Sequence, residues 1–159
     1  MEALLKLLRQ NALESPANMA KLLNMEEKDV RARIAEYEKS GIIRGYQAIV
    51  NEDRLDLHTV NAVIEVKVTP ERDGGFDRVA ARLSKFPEVE SLYLISGSFD
   101  LLLFVTGSDL KQVASFVSEK LATMQGVVST STHFMLKTYK KHGVLMHVTE
   151  EHERLQVSP

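Results

Sequence analysis

The chain has 159 residues, of which 44% are hydrophobic and 26% are charged, and its net charge is −2. This composition is typical of folded globular proteins and argues against disorder. The sequence contains no cysteine, which excludes disulfides, thiol nucleophiles and cysteine-ligated zinc. Because no apolar run approaches the roughly 18 residues that span a bilayer, and the apolar stretch at the N-terminus is too short for a secretory signal, we expect a cytoplasmic protein without a membrane partner.

Acidic and basic residues are balanced along the whole chain. Residues 1–58 contain nine Lys/Arg and ten Asp/Glu, and residues 59–159 contain eleven and twelve. Proteins that neutralise nucleic-acid phosphates usually show a basic excess. Any DNA-binding face must therefore be local.

The first fifty residues predict three helices. Apolar residues from Leu4 to Leu8 indicate a short amphipathic helix that ends near Asn11. Ser15 followed by Pro16 predicts the start of a second helix, because serine caps helices well and proline suits the first helical position. A third helix is predicted over 27–40, with Gly41 as its C-terminal stop.

The second and third helices have the spacing of a helix-turn-helix. Asn24 lies between them, where a tight turn needs a residue that tolerates positive φ. In the third helix Val30, Ile34 and Tyr37 recur at helical spacing and should face the core. Residues 42–50 suggest two short strands around Arg44 and Gly45, which would form a wing.

This arrangement predicts that the third helix enters the major groove of double-stranded DNA. Arg33 is equally consistent with a phosphate contact and with an internal ion pair to Asp29 or Glu36. The alternative for the whole segment is a three-helix cap whose charges are only solvated. The candidate DNA contacts are Lys21, Lys28, Arg31, Arg33 and Arg44.

The remaining residues predict a β-α-β-β-α-β domain. Even positions from Val60 to Val68 are apolar, which predicts a half-buried strand. Amphipathic helices are expected over 76–86 and 110–124. Further strands are expected over 88–96, 99–106 and 127–139, with a turn at 96–98. The predicted class is α+β: a winged helix-turn-helix (1–51), a linker (52–58), a ferredoxin-like domain (59–141) and a C-terminal tail (142–159).

Both predicted helices pack on one face of that sheet, so the other face needs a cover. No other part of the chain is large enough to cover it. We therefore expect a homodimer packed sheet to sheet.

Four segments of the sequence resemble the leucine-responsive/asparagine regulator (Lrp/AsnC) family of prokaryotic transcription regulators over about residues 2–140. They are LLKLLRQNALESPANMAKLLNM, VRARIAEYEKSGIIRGYQAIVN, SGSFDLLLFV and GVVSTSTHFML. The chain departs from the family in lacking an aspartate-containing cap before the first helix, and Glu26 stands where serine usually caps the recognition helix.

The resemblance implies effector binding near the Gly97 turn and the start of the last strand, at a subunit boundary. Asp100 offers an acceptor for an α-amino group, and the hydroxyls that follow Val128 suit a carboxylate. The alternative is that residues 97–100 are only a hairpin turn. The candidate effector residues are Gly97, Ser98, Phe99, Asp100, Ser129, Thr130, Ser131 and Thr132.

The sequence thus predicts a DNA-binding transcription regulator controlled by a small amino-acid-like effector, acting as a homodimer that can assemble to an octamer. No cofactor, metal site or catalytic residue is predicted, since the histidines show no compact ligand spacing. Two alternatives are an enzyme resembling the sirohaem decarboxylases of the same architecture, and a ligand-binding scaffold that has lost DNA binding.

Overall fold

The computed structural model describes residues 2–55, 58–70 and 75–146. It divides the chain into two compact units, Met1–Ile49 and Val50–Pro159. The first contains three helices, and the second contains an antiparallel sheet with helices. Within the described residues, no helix combines the length and apolar character needed to cross a membrane.

The first unit contains α1 (Ala3–Gln10), α2 (Pro16–Leu23) and α3 (Glu27–Lys39). The predicted helix boundaries are confirmed by their caps. Ser15 Oγ accepts a hydrogen bond from the Asn18 amide at 3.2 Å, and Asn24 has φ 51° between α2 and α3. Gly41 follows α3 with φ 75°, a conformation that costs glycine nothing because it has no Cβ.

A small apolar core holds the three helices together. Val30 and Tyr37 of α3 are buried, and Ile34 packs against them, as predicted. The other buried members of this core are Leu4, Leu8, Met19 and Ala20.

The predicted wing is not formed. Residues 42–50, all of which the structure describes, contain no strand. Gly45 lacks the positive φ that the favoured two-residue hairpin turns require at their central positions, and a two-stranded hairpin by itself is only marginally stable. This segment instead exposes several apolar side chains, including Ile42, Tyr46 and Ile49.

The second unit confirms the predicted β-α-β-β-α-β order. Its main elements are β1 (Val60–Val68), α4 (Asp77–Leu83), β2 (Val89–Leu94), β3 (Leu101–Gly107), α5 (Leu110–Ser115) and β4 (Val127–Phe134). The sheet order is β2-β3-β1-β4, and every neighbouring pair is antiparallel. The last strand of this sheet, β4, ends at Phe134 and not at Tyr139 as predicted.

Alternation along β1 and β3 separates the two faces of the sheet. Ala62, Ile64, Val66 and Val68 of β1 are buried, as are Leu101, Leu103 and Val105 of β3. Apart from Ala62, these side chains form one core with Val79 and Leu83 of α4 and with Phe116 and Leu121. The intervening residues of both strands lie on the opposite face, which we call the open face, and none of the helices described in this unit covers it.

The helix after β3 departs from ideal α spacing. Residues Phe116–Leu121 form a π-helical segment, in which the Ala122 amide donates to the Val117 carbonyl five residues earlier at 2.8 Å. The wider turn places Phe116 and Leu121, five residues apart, in the same core.

The ends of the second unit differ from the predicted boundaries. Glu52–Arg54, within the predicted linker, form a short 3₁₀ helix. The predicted tail begins inside a two-stranded hairpin of β5 (Lys140–Lys141) and β6 (Val144–Leu145). Lys141 Nζ donates to Glu52 Oε1 at 2.7 Å, and this hydrogen bond lowers the pKa of Glu52 despite partial burial. Residues 147–159, with His147 and His152, lie outside the described residues.

Gly107 ends β3 where α5 approaches most closely, so we expect Gly107→Ala to destabilise the second unit. A Cβ at this position would lie 2.9 Å from Val113 Cγ2, and overpacking a core typically costs about 1–3 kcal/mol. Gly97→Ala is the matched control, because its Cβ would find only Ile95 Cγ2 at 3.9 Å. Urea unfolding of both variants checks this, and equal free energies of unfolding would contradict it.

Candidate nucleic-acid interface and effector site

The exposed face of α3 is the candidate DNA interface. Val30 and Tyr37 point into the core, so Lys28 and Arg31, at other angles around the helix, lie in solvent. Glu26 occupies the N-cap without a side-chain capping hydrogen bond. Glu27 and Asp29 lie in the first turn, where negative charge interacts favourably with the helix dipole.

Lys28 and Arg31 are each paired with a carboxylate at the start of α3. Arg31 Nε and Nη2 donate to Glu27 Oε1 at 2.8 and 2.6 Å, and Lys28 Nζ lies 2.8 Å from Glu26 Oε2. All four side chains remain substantially exposed. Exposed pairs of this kind contribute about 0–1 kcal/mol to stability, so the cations can exchange partners.

Arg33 makes an internal ion pair, but with a partner other than the two predicted. Its Nη1 pairs with Glu2 Oε1, and Glu2 Oε2 accepts a hydrogen bond from Tyr37 Oη. The hydrogen bond from Tyr37, followed by Arg33, lowers the pKa of Glu2, and burial raises the pKa of Tyr37. Glu2 therefore joins the start of α1 to α3, and sequence spacing could not reveal this contact between residues 31 positions apart.

The other two candidates lie outside α3. Lys21 is exposed on α2. Arg44 folds back over the turn that ends α3, since a Cβ on Gly41 would lie 3.2 Å from Arg44 Cζ. The guanidinium thus lies at the C-terminal end of α3, where a cation suits the helix dipole.

Asp100, in the candidate effector site, is bound to the end of β1. Its amide donates to the Val66 carbonyl at 3.1 Å, and its Oδ2 accepts from the Val68 amide at 2.9 Å. Within the described part of the chain, its Oδ1 has no hydrogen-bond partner. Asp100 thus stabilises the strand and keeps one carboxylate oxygen for another donor.

Gly97 does not have a left-handed backbone conformation. A Cβ there would also meet only an ordinary contact at 3.9 Å. The hairpin turn therefore does not require glycine at this position. Ser98 is exposed beside it, and Phe99 is half-buried.

The hydroxyl-bearing residues of β4 lie on the other side of β1 from Asp100. Thr130 pairs with Val66, and Ser129 pairs with Lys67, so roughly 10 Å, two strand spacings, separates them from the Asp100 turn. Thr130 and Thr132 share the helix-covered face with buried β1 residues, whereas Ser129 and Ser131 share the open face. The structure therefore does not bring all the candidate effector residues together in one copy.

A cavity of about 340 Å³ lies near the opposite end of β1. Asn51, Glu52, Asn61 and Lys141 are among its lining residues, and none of the predicted effector residues is. Across residues 2–55, 58–70 and 75–146, no group of three or more carboxylate or imidazole side chains is arranged to hold a metal ion.

Sequence reasoning missed the carboxylates that pair with the candidate DNA contacts. Glu27 and Arg31 are four residues apart, a spacing that places them together on one helix face, so the sequence contained a signal for this pair. No comparable local signal marked the Glu2 pair with Arg33.

Comparison with known proteins places these units in a family. The model of the Lrp/AsnC ligand binding domain matches residues 61–145. An uncharacterised HTH-type transcriptional regulator of Bacillus subtilis, YugG, is 41% identical over 157 residues, covering 98% of this chain and 95% of that protein. The proline dehydrogenase transcriptional activator of Rhodobacter capsulatus is 32% identical over 127 residues, covering 80% and 82% respectively.

A solved structure shows the same similarity. A transcriptional regulator of Neisseria meningitidis in complex with L-methionine matches with a TM-score of 0.68 and 26% identity, over 87% of this chain and 88% of that chain. The family model covers more than half of the chain, and the Bacillus subtilis relative is similar along almost its full length. The chain therefore belongs to the Lrp/AsnC family of transcriptional regulators.

Proposed function

We propose that this protein regulates transcription by binding duplex DNA through α3, and that a small amino acid controls this binding. The main observation in support of DNA binding is the α2-Asn24-α3 arrangement, in a chain whose relatives include an HTH-type transcriptional regulator that is 41% identical. In this arrangement α3 is the recognition helix, with its N-terminal half in the major groove. Lys28 and Arg31 contact DNA there, while Lys21 and Arg44 reach phosphates.

Replacing Arg31 with alanine should weaken DNA binding by about 1–3 kcal/mol if its guanidinium reads a base. Arg31 is exposed and bonds only to Glu27 in the described residues, so the variant should remain folded. Arg82→Ala removes the same charge from an exposed position on α4 and serves as the control. Fluorescence anisotropy on DNA selected from genomic fragments measures the effect, and an unchanged affinity in folded Arg31→Ala would remove Arg31 from the interface.

The proposed effector site is the Gly97–Asp100 turn. Three observations support it: the Oδ1 of Asp100, which accepts no hydrogen bond from any described residue, a glycine that the turn does not require, and the methionine complex of a structural neighbour that is 26% identical. Asp100 accepts the ligand's ammonium group. Because the β4 hydroxyls of the same copy lie across β1, we propose that a second copy completes the site at a subunit boundary.

Asp100→Asn should weaken effector binding about 10- to 150-fold while preserving the fold. Asparagine retains an oxygen for the Val68 amide but loses the negative charge that binds ammonium, a contact of about 1.5–3 kcal/mol. Asp100→Ala removes both interactions and shows the structural cost. Calorimetric titration with L-methionine and the other amino acids, alongside unfolding midpoints, separates the roles, and wild-type ligand affinity in Asp100→Asn would refute the sensing role.

We further propose that the open face packs against the same face of a second copy, forming a dimer that can assemble to an octamer. Leu102 and Phe104 of β3 lie on this face, and Tyr93 packs edge to face on Phe104 with ring centroids 6.0 Å apart. Apolar side chains clustered on a sheet face are characteristic of interaction surfaces. A dimer also creates the subunit boundaries that the effector site needs.

Leu102→Lys should therefore reduce the oligomeric mass of the full chain. A lysine at the centre of a packed sheet interface would have to be desolvated without a partner, at a cost of several kcal/mol. Leu110→Lys, at an exposed position on α5, is the control. Light scattering after size-exclusion chromatography checks the mass, and a wild-type monomer at micromolar concentration would contradict the sheet-to-sheet dimer.

A further inference from the structure

Both α3 cations proposed above to contact DNA are paired with carboxylates, Arg31 with Glu27 and Lys28 with Glu26. Arg33, which is not among the proposed contacts, is paired with Glu2. These pairs help to explain how a DNA-binding unit can lack a basic excess, because acidic side chains beside Lys28 and Arg31 balance their charge. Glu26 and Glu27 do not take part in the base or phosphate contacts proposed above.

We propose that Glu27 competes with DNA phosphate for Arg31 and thereby weakens binding to DNA of unrelated sequence. This inference rests on the proposed DNA-binding function and extends it to the control of specificity. Glu27 and Arg31 must separate, at least partly, before the guanidinium can bind DNA. Glu26 acts in the same way on Lys28, through a single ammonium contact.

The geometry of the pair supports direct competition. The Nε and Nη2 donors of Arg31 both point at Glu27 Oε1. These donors form one edge of the guanidinium through which arginine can bind phosphate oxygens or a guanine base. Glu27 therefore occupies two of the donors that DNA could use.

The exposure of the pair limits the strength of this competition. The Arg31 and Glu27 side chains are 63% and 44% exposed, and exposed pairs of this kind are weak. DNA that offers a bidentate base contact can displace Glu27 readily, whereas DNA that offers only phosphate gains less from the exchange. The carboxylate thus lowers non-specific affinity more than specific affinity.

The test compares Glu27→Gln with Glu36→Gln on a fluorescently labelled duplex of random sequence. Both variants remove one negative charge from α3, but in the described part of the chain Glu36 has no ion pair. We expect Glu27→Gln to bind about two- to fivefold more tightly than Glu36→Gln at low salt, the factor that corresponds to one exposed ion pair. The difference should shrink at high salt, where exposed charges are screened.

Two further variants separate competition from other effects. In an Arg31→Ala background, Glu27→Gln should give no advantage over Glu36→Gln, because the cation for which Glu27 competes is absent. Glu27→Asp keeps the favourable charge at the helix N-terminus but has a shorter reach to Arg31, so it should give a smaller gain than Glu27→Gln. Circular dichroism confirms that the variants remain helical.

The outcomes distinguish this inference from the proposed function. Equal affinities of Glu27→Gln and Glu36→Gln, or weaker binding by Glu27→Gln, would overturn the competition while leaving DNA binding intact. An advantage that persists in the Arg31→Ala background would also overturn it. If the wild-type protein does not bind duplex DNA even at low salt, both the inference and the proposed function are wrong.

Discussion

The two-residue alternation along β1 is the constraint on which the second unit depends. Ala62, Ile64, Val66 and Val68 are buried, and β1 is paired on both sides, with β3 and β4. A register shift of one residue in either pair would exchange the helix-covered and open faces. The same pairing holds Asp100 at one side of the strand end and the β4 hydroxyls at the other, so the strand that organises the core also separates the two parts of the proposed effector site.

In the first unit, the same residues contribute to folding and to the proposed recognition of DNA. The acidic residues at the start of α3 favour its helix dipole and also pair with its cations. Glu2 binds both Arg33 and Tyr37, so it connects α1 to the helix that is proposed to read DNA. The carboxylates that stabilise α3 in the absence of DNA therefore oppose its proposed binding to phosphate.

Local chemistry made much of the fold predictable. Ser15, Asn24 and Gly41 marked helix boundaries because capping and positive φ depend on single residue types, and alternation identified β1. The prediction of a wing was wrong because strand pairing depends on partner strands, which a local sequence pattern does not supply. For the candidate site, sequence spacing indicated that α3 exposes Lys28 and Arg31, but the partner of Arg33 and the two faces of β4 depend on tertiary register.

The π-helical segment Phe116–Leu121 makes the core packing of the helix between β3 and β4 depend on the number of residues in that helix. An ordinary α-helix advances about 100° per residue, and the wider turn accommodates one residue more than α spacing allows between Phe116 and Leu121. Deleting one residue from this segment would restore regular helical hydrogen bonding, yet it would leave Phe116 and Leu121 four residues apart and shift the connection to β4. An insertion or deletion in this helix is thus a change to the core, although most of its residues are exposed.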